Sequence, residues 1–247
     1  MQQTMSAAAT DSVFQTQRRD GWWIGPLFTA GLLLAFIFWA TFRAFENGFY
    51  KWGEYLSPFF SPLIEGFLLP PAFLILWAPA GFRVTCYYYR KAYYRSLFLT
   101  PPACAVRGAQ KSYKGETFLL FFQNLHRYLF YVAFLFLVFL WHDAVVSYRF
   151  DGKFGVGVGS LVLTLNAAFL TLYTLSCHCW RHLVGGGMNC FVLPTGKPKL
   201  RYRLWQRVNF LNARHMQFAW VSLIWVGFSD IYVRMVAMGS WRDLRIL

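Results

Sequence analysis

Along these 247 residues, long apolar runs alternate with shorter polar and basic ones. Five runs are about 20 residues long, enough to cross the hydrocarbon core of a bilayer. They are Ile24–Phe42, Leu63–Ala80, Phe118–Trp141, Val156–Cys179 and Met216–Ala237. Backbone groups surrounded by lipid must be satisfied inside each segment, so the runs predict helices. The expected fold is all-α, an integral membrane bundle of five transmembrane helices. No internal repeat or soluble domain is evident, so the chain divides into a polar segment, 1–21, and one membrane domain, 22–247. Met1–Asp20 lacks the short apolar core and small-residue cleavage site of a secretory leader, and no cleaved signal peptide is expected.

Charge orients the bundle. Arg83–Glu116 carries seven Lys/Arg and one acid, and Arg181–Arg214 carries seven Lys/Arg and no acid. The alternate segments, Arg43–Pro62 and His142–Gly155, hold two Lys/Arg each, balanced by Asp and Glu. Basic residues accumulate in cytoplasmic loops. The N-terminus and both basic loops are therefore expected inside the cell membrane and the C-terminus outside. This asymmetry supplies most of the formal charge of +14. Because the charge lies beside the membrane and not on a separate basic module, it argues against nucleic acid as a partner. Composition agrees, with 57% of residues hydrophobic, 21% aromatic and only 14% charged, outside the range of soluble domains. Trp22, Trp23, Tyr50, Trp52, Trp141 and Trp241 fall near the ends of the runs, where interfacial aromatics collect. The basic loops are too short for a soluble active site but long enough to seat a partner.

That topology sorts the chemistry-bearing residues. All five cysteines and four of the five histidines fall on the cytoplasmic side, where thiols stay free or bind metal. The densest group is Ser176-Cys177-His178-Cys179-Trp180-Arg181-His182. On a helix, His178 and His182 share a face, Cys177 points about 100° away, and Gly185-Gly186-Gly187 ends the segment. Cys190 follows in the next loop. Cys86 opens Cys86-Tyr87-Tyr88-Tyr89-Arg90-Lys91, and Cys104 lies in the rigid turn Thr100-Pro101-Pro102-Ala103-Cys104. His126 sits in Gln123-Asn124-Leu125-His126-Arg127-Tyr128, at a depth where polar groups are expensive and signal function. His215 marks the inner end of the fifth run. Each has a plainer alternative. A cysteine can be a small apolar residue, His178, Arg181 and His182 can be a solvated basic helix end, and His126 and His215 can serve interhelical hydrogen bonding. His142 falls at the outer face, paired with Asp143.

Soft ligands gathered at one membrane face suit a redox metal centre. Two haems would need bis-His pairs at two depths, and the first two runs hold no histidine. One haem between His126 and His215 stays open. Zinc would accept a Cys/His set, although its structural sites belong mostly to soluble knuckles. Two thiolates on one iron and two imidazoles on the other match the inventory best, without any local ferredoxin spacing. The candidate ligands are Cys86, Cys104, Cys177, His178, His182, His126 and His215, with two of each type used. Cys86 and Cys104 rank first among the thiols, then Cys177. The same-face pair His178 and His182 leads among the histidines.

Several segments carry a resemblance: Phe82-Arg83-Val84-Thr85-Cys86-Tyr87-Tyr88-Tyr89-Arg90, Ala103-Cys104-Ala105-Val106, Asn124-Leu125-His126-Arg127-Tyr128, Leu175-Ser176-Cys177-His178 and Arg214-His215-Met216-Gln217-Phe218-Ala219-Trp220. They resemble the single five-helix membrane anchor of a bacterial succinate dehydrogenase, of the actinobacterial type of complex II. The likeness extends over nearly the whole chain after Trp22. It implies a membrane-embedded Rieske-type [2Fe-2S] cluster in place of haem b. It also implies docking of an iron–sulfur subunit that in turn binds a flavoprotein subunit. The anchor would hold no succinate site. Electrons from succinate would reach its cluster and reduce a membrane quinone, linking the tricarboxylic acid cycle to the respiratory chain. Cys177 fits this family better than Cys179 does.

A quinone needs donors to its carbonyl oxygens, an aromatic wall and access from lipid. The inner ends of the third and fifth runs offer Gln123, Asn124, His126, Arg127, Tyr128 and His215, with Trp205 or Trp220 as a wall. A cationic or protonatable donor there would stabilise developing negative charge and deliver protons. The plainer alternative is that Arg127 snorkels to the headgroups. Two rival functions stand beside this one. One is a haem-binding cytochrome b-type anchor. The other is a transporter, for which Glu65 and Pro70-Pro71 would mark a broken helix, but which leaves the Cys/His set unexplained.

The charge asymmetry makes a topological prediction. Cysteine-accessibility mapping should find Lys111 and Lys199 in the cytoplasm and Lys153 outside. Lys153 found inside would invert the bundle.

Overall fold

A computed structural model describes residues 19–99, 119–150, 152–193, 195–196 and 198–247. Cys104, Lys111 and residues 1–18 of the N-terminal segment lie outside the described residues. The elements in order are α1 (Ile24–Glu46), β1 (Lys51–Trp52), β2 (Tyr55–Leu56), a 3-10 turn (Pro58–Phe60), α2 (Pro71–Thr85), α3 (Tyr87–Ser96), α4 (Leu119–Val146), β3 (Arg149–Phe150), β4 (Lys153–Phe154), α5 (Val158–Leu175), α6 (His178–Gly185), α7 (Leu200–Asn212) and α8 (His215–Ala237). Each strand pair is a two-stranded antiparallel hairpin.

Four of these helices, α1, α4, α5 and α8, are long and apolar enough to cross a membrane. The second apolar run behaves differently from the expectation. Leu63–Pro70 is not helical, and α2 begins only at Pro71. Proline suits a first helical position because its φ is pre-set and that N–H has no partner anyway. With 15 residues, α2 rises about 22 Å, and Pro79 removes one bond from its ladder. The fourth run is also not one helix. α5 stops at Leu175, and Cys177, in an extended conformation, starts α6. The basic segments fold locally into α3, α6 and α7, too polar to have stood out as apolar runs.

α5 packs between α4 and α8, α2 packs on α4, and α3 folds back against α1. Large apolar side chains of α1, including Phe28, Phe38 and Phe45, face outward, as a lipid-facing helix requires. One end of the bundle carries both hairpins and the C-terminus, whose Leu247 carbonyl accepts from the Val156 amide. Asp243 there accepts from the Tyr55 hydroxyl at 2.9 Å and the Tyr232 hydroxyl at 2.7 Å. Burial pushes the Tyr55 hydroxyl up to about 12, so it remains a donor at neutral pH. Gly159 lies against the Tyr55 ring, where any Cβ would overlap it.

Above this end a charged group is fully enclosed. Arg43 and Asp230 are both 0% exposed. Arg43 Nε donates to Asp230 Oδ2 at 2.9 Å, Trp39 Nε1 donates to the same oxygen at 2.7 Å, and Ser57 Oγ donates to Oδ1 at 2.5 Å. Glu46 accepts from both Arg43 and Arg234. α1, the connection after it and α8 are thereby tied at one carboxylate. Breaking a buried pair by removing one partner costs about 3–5 kcal/mol, because the other charge is left uncompensated. Asp230→Ala should therefore lower thermal stability in detergent strongly, while Asp230→Asn, which keeps an acceptor, should cost less. Equal loss in both would put the effect on shape instead of charge.

Candidate functional site

The opposite end gathers the thiols and imidazoles, and it does so with one device used twice. Thr85 ends α2 and Ser176 follows α5, and each precedes a cysteine. Cys86 (φ −65°, ψ 132°) and Cys177 (φ −63°, ψ 147°) are both extended, and each starts a short helix, α3 or α6. Both cysteines are 2% exposed. A hydroxyl residue and then an extended cysteine thus turn the chain sharply where it leaves the bundle.

Two histidines cross-link the halves. His126 of α4 has Nδ1 at 2.9 Å from Thr85 Oγ1 and Nε2 at 3.2 Å from Cys177 Sγ. His215, the first residue of α8, has Nδ1 at 2.7 Å from Ser176 Oγ and Nε2 at 3.5 Å from Cys86 Sγ. The hydroxyls set the tautomers. Thr85 Oγ1 donates to the Gly81 carbonyl and Ser176 Oγ to the Tyr173 carbonyl, so each accepts from its histidine. Nδ1 then carries the proton, and the Nε2 lone pair of each ring faces a sulfur. Rings are clamped as well as tethered. Phe82 stacks on His126 at 4.6 Å and Tyr173 on His215 at 5.0 Å, with planes within 7° and 10° of parallel.

Such pairs of thiol and imidazole can ligate a metal. Metal-bound histidine characteristically donates its other ring N–H to an orienting group, and two sulfurs with two imidazole nitrogens are the donor types that a Rieske-type cluster takes. Cys179, half-buried, adds a third thiol at the rim. His126, Cys177 and Cys179 place ligand atoms within 4.8 Å of one another. A bound metal cation takes its thiol ligands in the thiolate form. Beneath the group lies Arg83, which donates to the Ala219 carbonyl at 3.2 Å, to Ser222 Oγ at 3.1 Å and to the Tyr89 hydroxyl.

The other candidates are placed elsewhere. His178 and His182 lie exposed on α6, away from the buried group, because the break at Ser176–Cys177 reorients everything after it. Cys190 is exposed. Gln123, Asn124, Arg127 and Tyr128 lie along an exposed face of α4 beside His126. Trp205 packs with Arg181 at 5.2 Å in the α6–α7 hairpin, and Trp220 sits 5.7 Å from Tyr89. The aromatic neighbour on that side is Trp180, stacked on Phe134 at 6.1 Å. His142 meets Asp143 at 3.2 Å at the far end. Thr85, Ser176, Phe82, Tyr173 and Arg83 escaped sequence reasoning. The repeated hydroxyl–cysteine pair was the signal that could have found the first two.

A family model described as actinobacterial succinate dehydrogenase subunit SdhC matches residues 24–239. Among solved structures, a chain of the Mycobacterium smegmatis Sdh1 complex in the apo form is similar over 94% of each chain, with a TM-score of 0.82 and 41% sequence identity. No curated protein matches.

The tautomer-setting hydroxyls make their own prediction. Loss of such an orienting partner typically weakens metal retention about 10–100-fold. Thr85→Val and Ser176→Ala should each lose metal sooner under graded chelator challenge, and unchanged retention in both would remove the hydroxyls from the site.

Proposed function

From the premise that this chain belongs to the actinobacterial succinate dehydrogenase SdhC family, we propose that it passes electrons to a membrane quinone through a Rieske-type [2Fe-2S] centre held by Cys86, Cys177, His126 and His215. The chain is the membrane anchor subunit of a succinate dehydrogenase, and other subunits of that complex are its partners. The supporting observation is the pair of Nε2 lone pairs, each facing a buried sulfur from the opposite half of the bundle. When bound, such a cluster supplies a one-electron relay. A bis-His haem has less support, since neither Nε2 faces the other and both rings lie flat against aromatic neighbours.

The chain's own residues do the rest. His126 and His215 hold the centre in fixed orientation. Phe82 and Tyr173 exclude water from it. Arg83 keeps a permanent positive charge below it, which favours an added electron. α2 returns the chain from the hairpin end to this end, and so puts the N-terminus on the Cys/His side. That side is cytoplasmic by the charge rule. The iron–sulfur subunit is seated there on the basic surface of α3, α6 and α7 and carries the flavoprotein subunit beyond it. Quinone is taken from lipid on the exposed face of α4. Arg127 and Tyr128 offer donors next to His126, Gln123 and Asn124 lie one turn away, and Trp180 on Phe134 supplies the wall.

His126→Ala should abolish a rhombic low-g EPR signal and reduce iron and labile sulfide, while the anchor still copurifies with its partner subunits. Unchanged iron and sulfide, or a haem α-band in the unaltered complex, would sink the ligand set. Arg127→Leu should cut quinone reduction about tenfold or more, as loss of one charged hydrogen bond implies, and leave succinate oxidation by a soluble acceptor intact. Equal loss of both activities would make Arg127 an assembly residue.

A further inference from the structure

Independently of the redox reading, we propose that an acyl chain of a membrane phospholipid occupies a cavity inside the bundle, directly behind the rings that clamp His126 and His215. The cavity has a volume of about 130 Å³. Its walls include Ile75 and Phe82 of α2, Ala133 and Leu137 of α4, Tyr173 of α5 and Val226 of α8. Close-packed interiors seldom leave a void larger than a water molecule. An apolar cavity of about 150 Å³ stays dry and takes up apolar molecules such as benzene instead. This cavity has the same character. Among the described residues its one charged wall residue is Arg83, which gives its donors to the Ala219 carbonyl, Ser222 and Tyr89.

Shape and access select the occupant. Wall residues run from Ile75 to Phe82 on α2 and from Ala133 to Leu140 on α4, about 10 Å along each helix, so the space extends along the bundle. Ala40, Pro79, Ala80 and Ala133 line it, small residues where larger side chains would close it. It is not sealed. Phe36 of α1, Leu76 and Pro79 of α2, and Phe136 and Leu140 of α4 line it and are partly exposed. Next to them in sequence, Trp77 and Phe139 are exposed, so the rim is continuous with the apolar outer surface of the bundle. An apolar space that runs along the helices and opens onto lipid fits a stretch of hydrocarbon chain. Acyl chains are the hydrocarbon that surrounds a spanning helix, and no free polar group in the cavity selects another ligand. Phe82 and Tyr173 line the space and stack on His126 and His215, so the chain braces both rings from behind.

The test places the intact complex in nanodiscs of phosphatidylcholine and phosphatidylglycerol, part of it carrying a diazirine in the middle of one acyl chain. After photolysis, peptide mass spectrometry should find adducts at the buried Ile75, Leu137 or Val226 as well as at the outward Trp77 and Phe139. Adducts at the outward residues alone overturn the proposal. Ala133→Phe, which fills the cavity, should remove the inner adducts and spare the outer ones, and inner adducts at full yield in that variant overturn it too. Loss of the inner adducts on adding a long-tailed quinone would give the cavity to an isoprenoid chain and overturn the assignment to phospholipid. The unaltered protein decides the matter even where Ala133→Phe fails to assemble. No outcome depends on a bound metal, so the ligand set proposed above stands or falls separately.

Discussion

Arg83 carries a permanent charge into the bundle, and its donors are shared among elements far apart in sequence. It reaches Tyr89 on α3 and both Ala219 and Ser222 on α8, while its guanidinium covers Tyr173 on α5. A charge enclosed this way is tolerable only if every donor finds an acceptor or an aromatic face. α2, α3, α5 and α8 can therefore meet in one register and no other at this end. The planar fork suits the task better than a lysine, whose point charge could not address separate acceptors in fixed directions. Arg43 imposes the same discipline at the opposite end, there against a true counter-ion, Asp230. Two enclosed guanidinium groups thus pin both ends of an otherwise apolar bundle, in which apolar packing alone specifies orientation weakly.

With the register pinned, the crossed arrangement of the site follows. Thr85 orients the histidine that faces Cys177, and Ser176 orients the histidine that faces Cys86. Neither half, α2 with α4 or α5 with α8, contains a complete pair by itself. A metal held by all four would bind only the assembled bundle, so binding free energy adds to folding free energy. The extended conformation of both cysteines serves this crossing. A cysteine inside a continuing helix would project along its own helix surface, whereas one at a sharp exit presents its sulfur to the neighbouring half.

The membrane class was legible because lipid leaves a chain few options, and four of the five apolar runs became spanning helices with ends near the expected ones. The gathering of Cys86, Cys177, His126 and His215 at one end was legible for the same reason, as topology sorts residues by side. Two things were not. Hydropathy treats an apolar run as continuous, so it did not register that Pro70-Pro71 delays α2 or that Ser176–Cys177 breaks the helix after α5. The same-face argument for His178 and His182 assumed that unbroken helix. Their exposure on α6 follows directly from the break. Trp205 and Trp220 illustrate the second limit, since their neighbours Arg181 and Tyr89 come from other elements and no local pattern announces them.

The donor set also answers an electrostatic problem particular to the bilayer. Four thiolates would bring four negative charges into a region where each isolated charge costs several kcal/mol. Two thiolates and two neutral imidazoles bring half of that. On the proposed ligation they balance an oxidised [2Fe-2S] core, and reduction adds one negative charge beside the positive charge of Arg83. Oxidised and reduced states then differ by a charge for which a counter-charge is already in place. The stacked rings of Phe82 and Tyr173 keep water out, which lengthens the reach of that pairing, because Coulomb interactions weaken less with distance in a low-dielectric surrounding. On the proposed ligation, electron acceptance here is therefore governed by a fixed group of the chain, Arg83, and little by solvent.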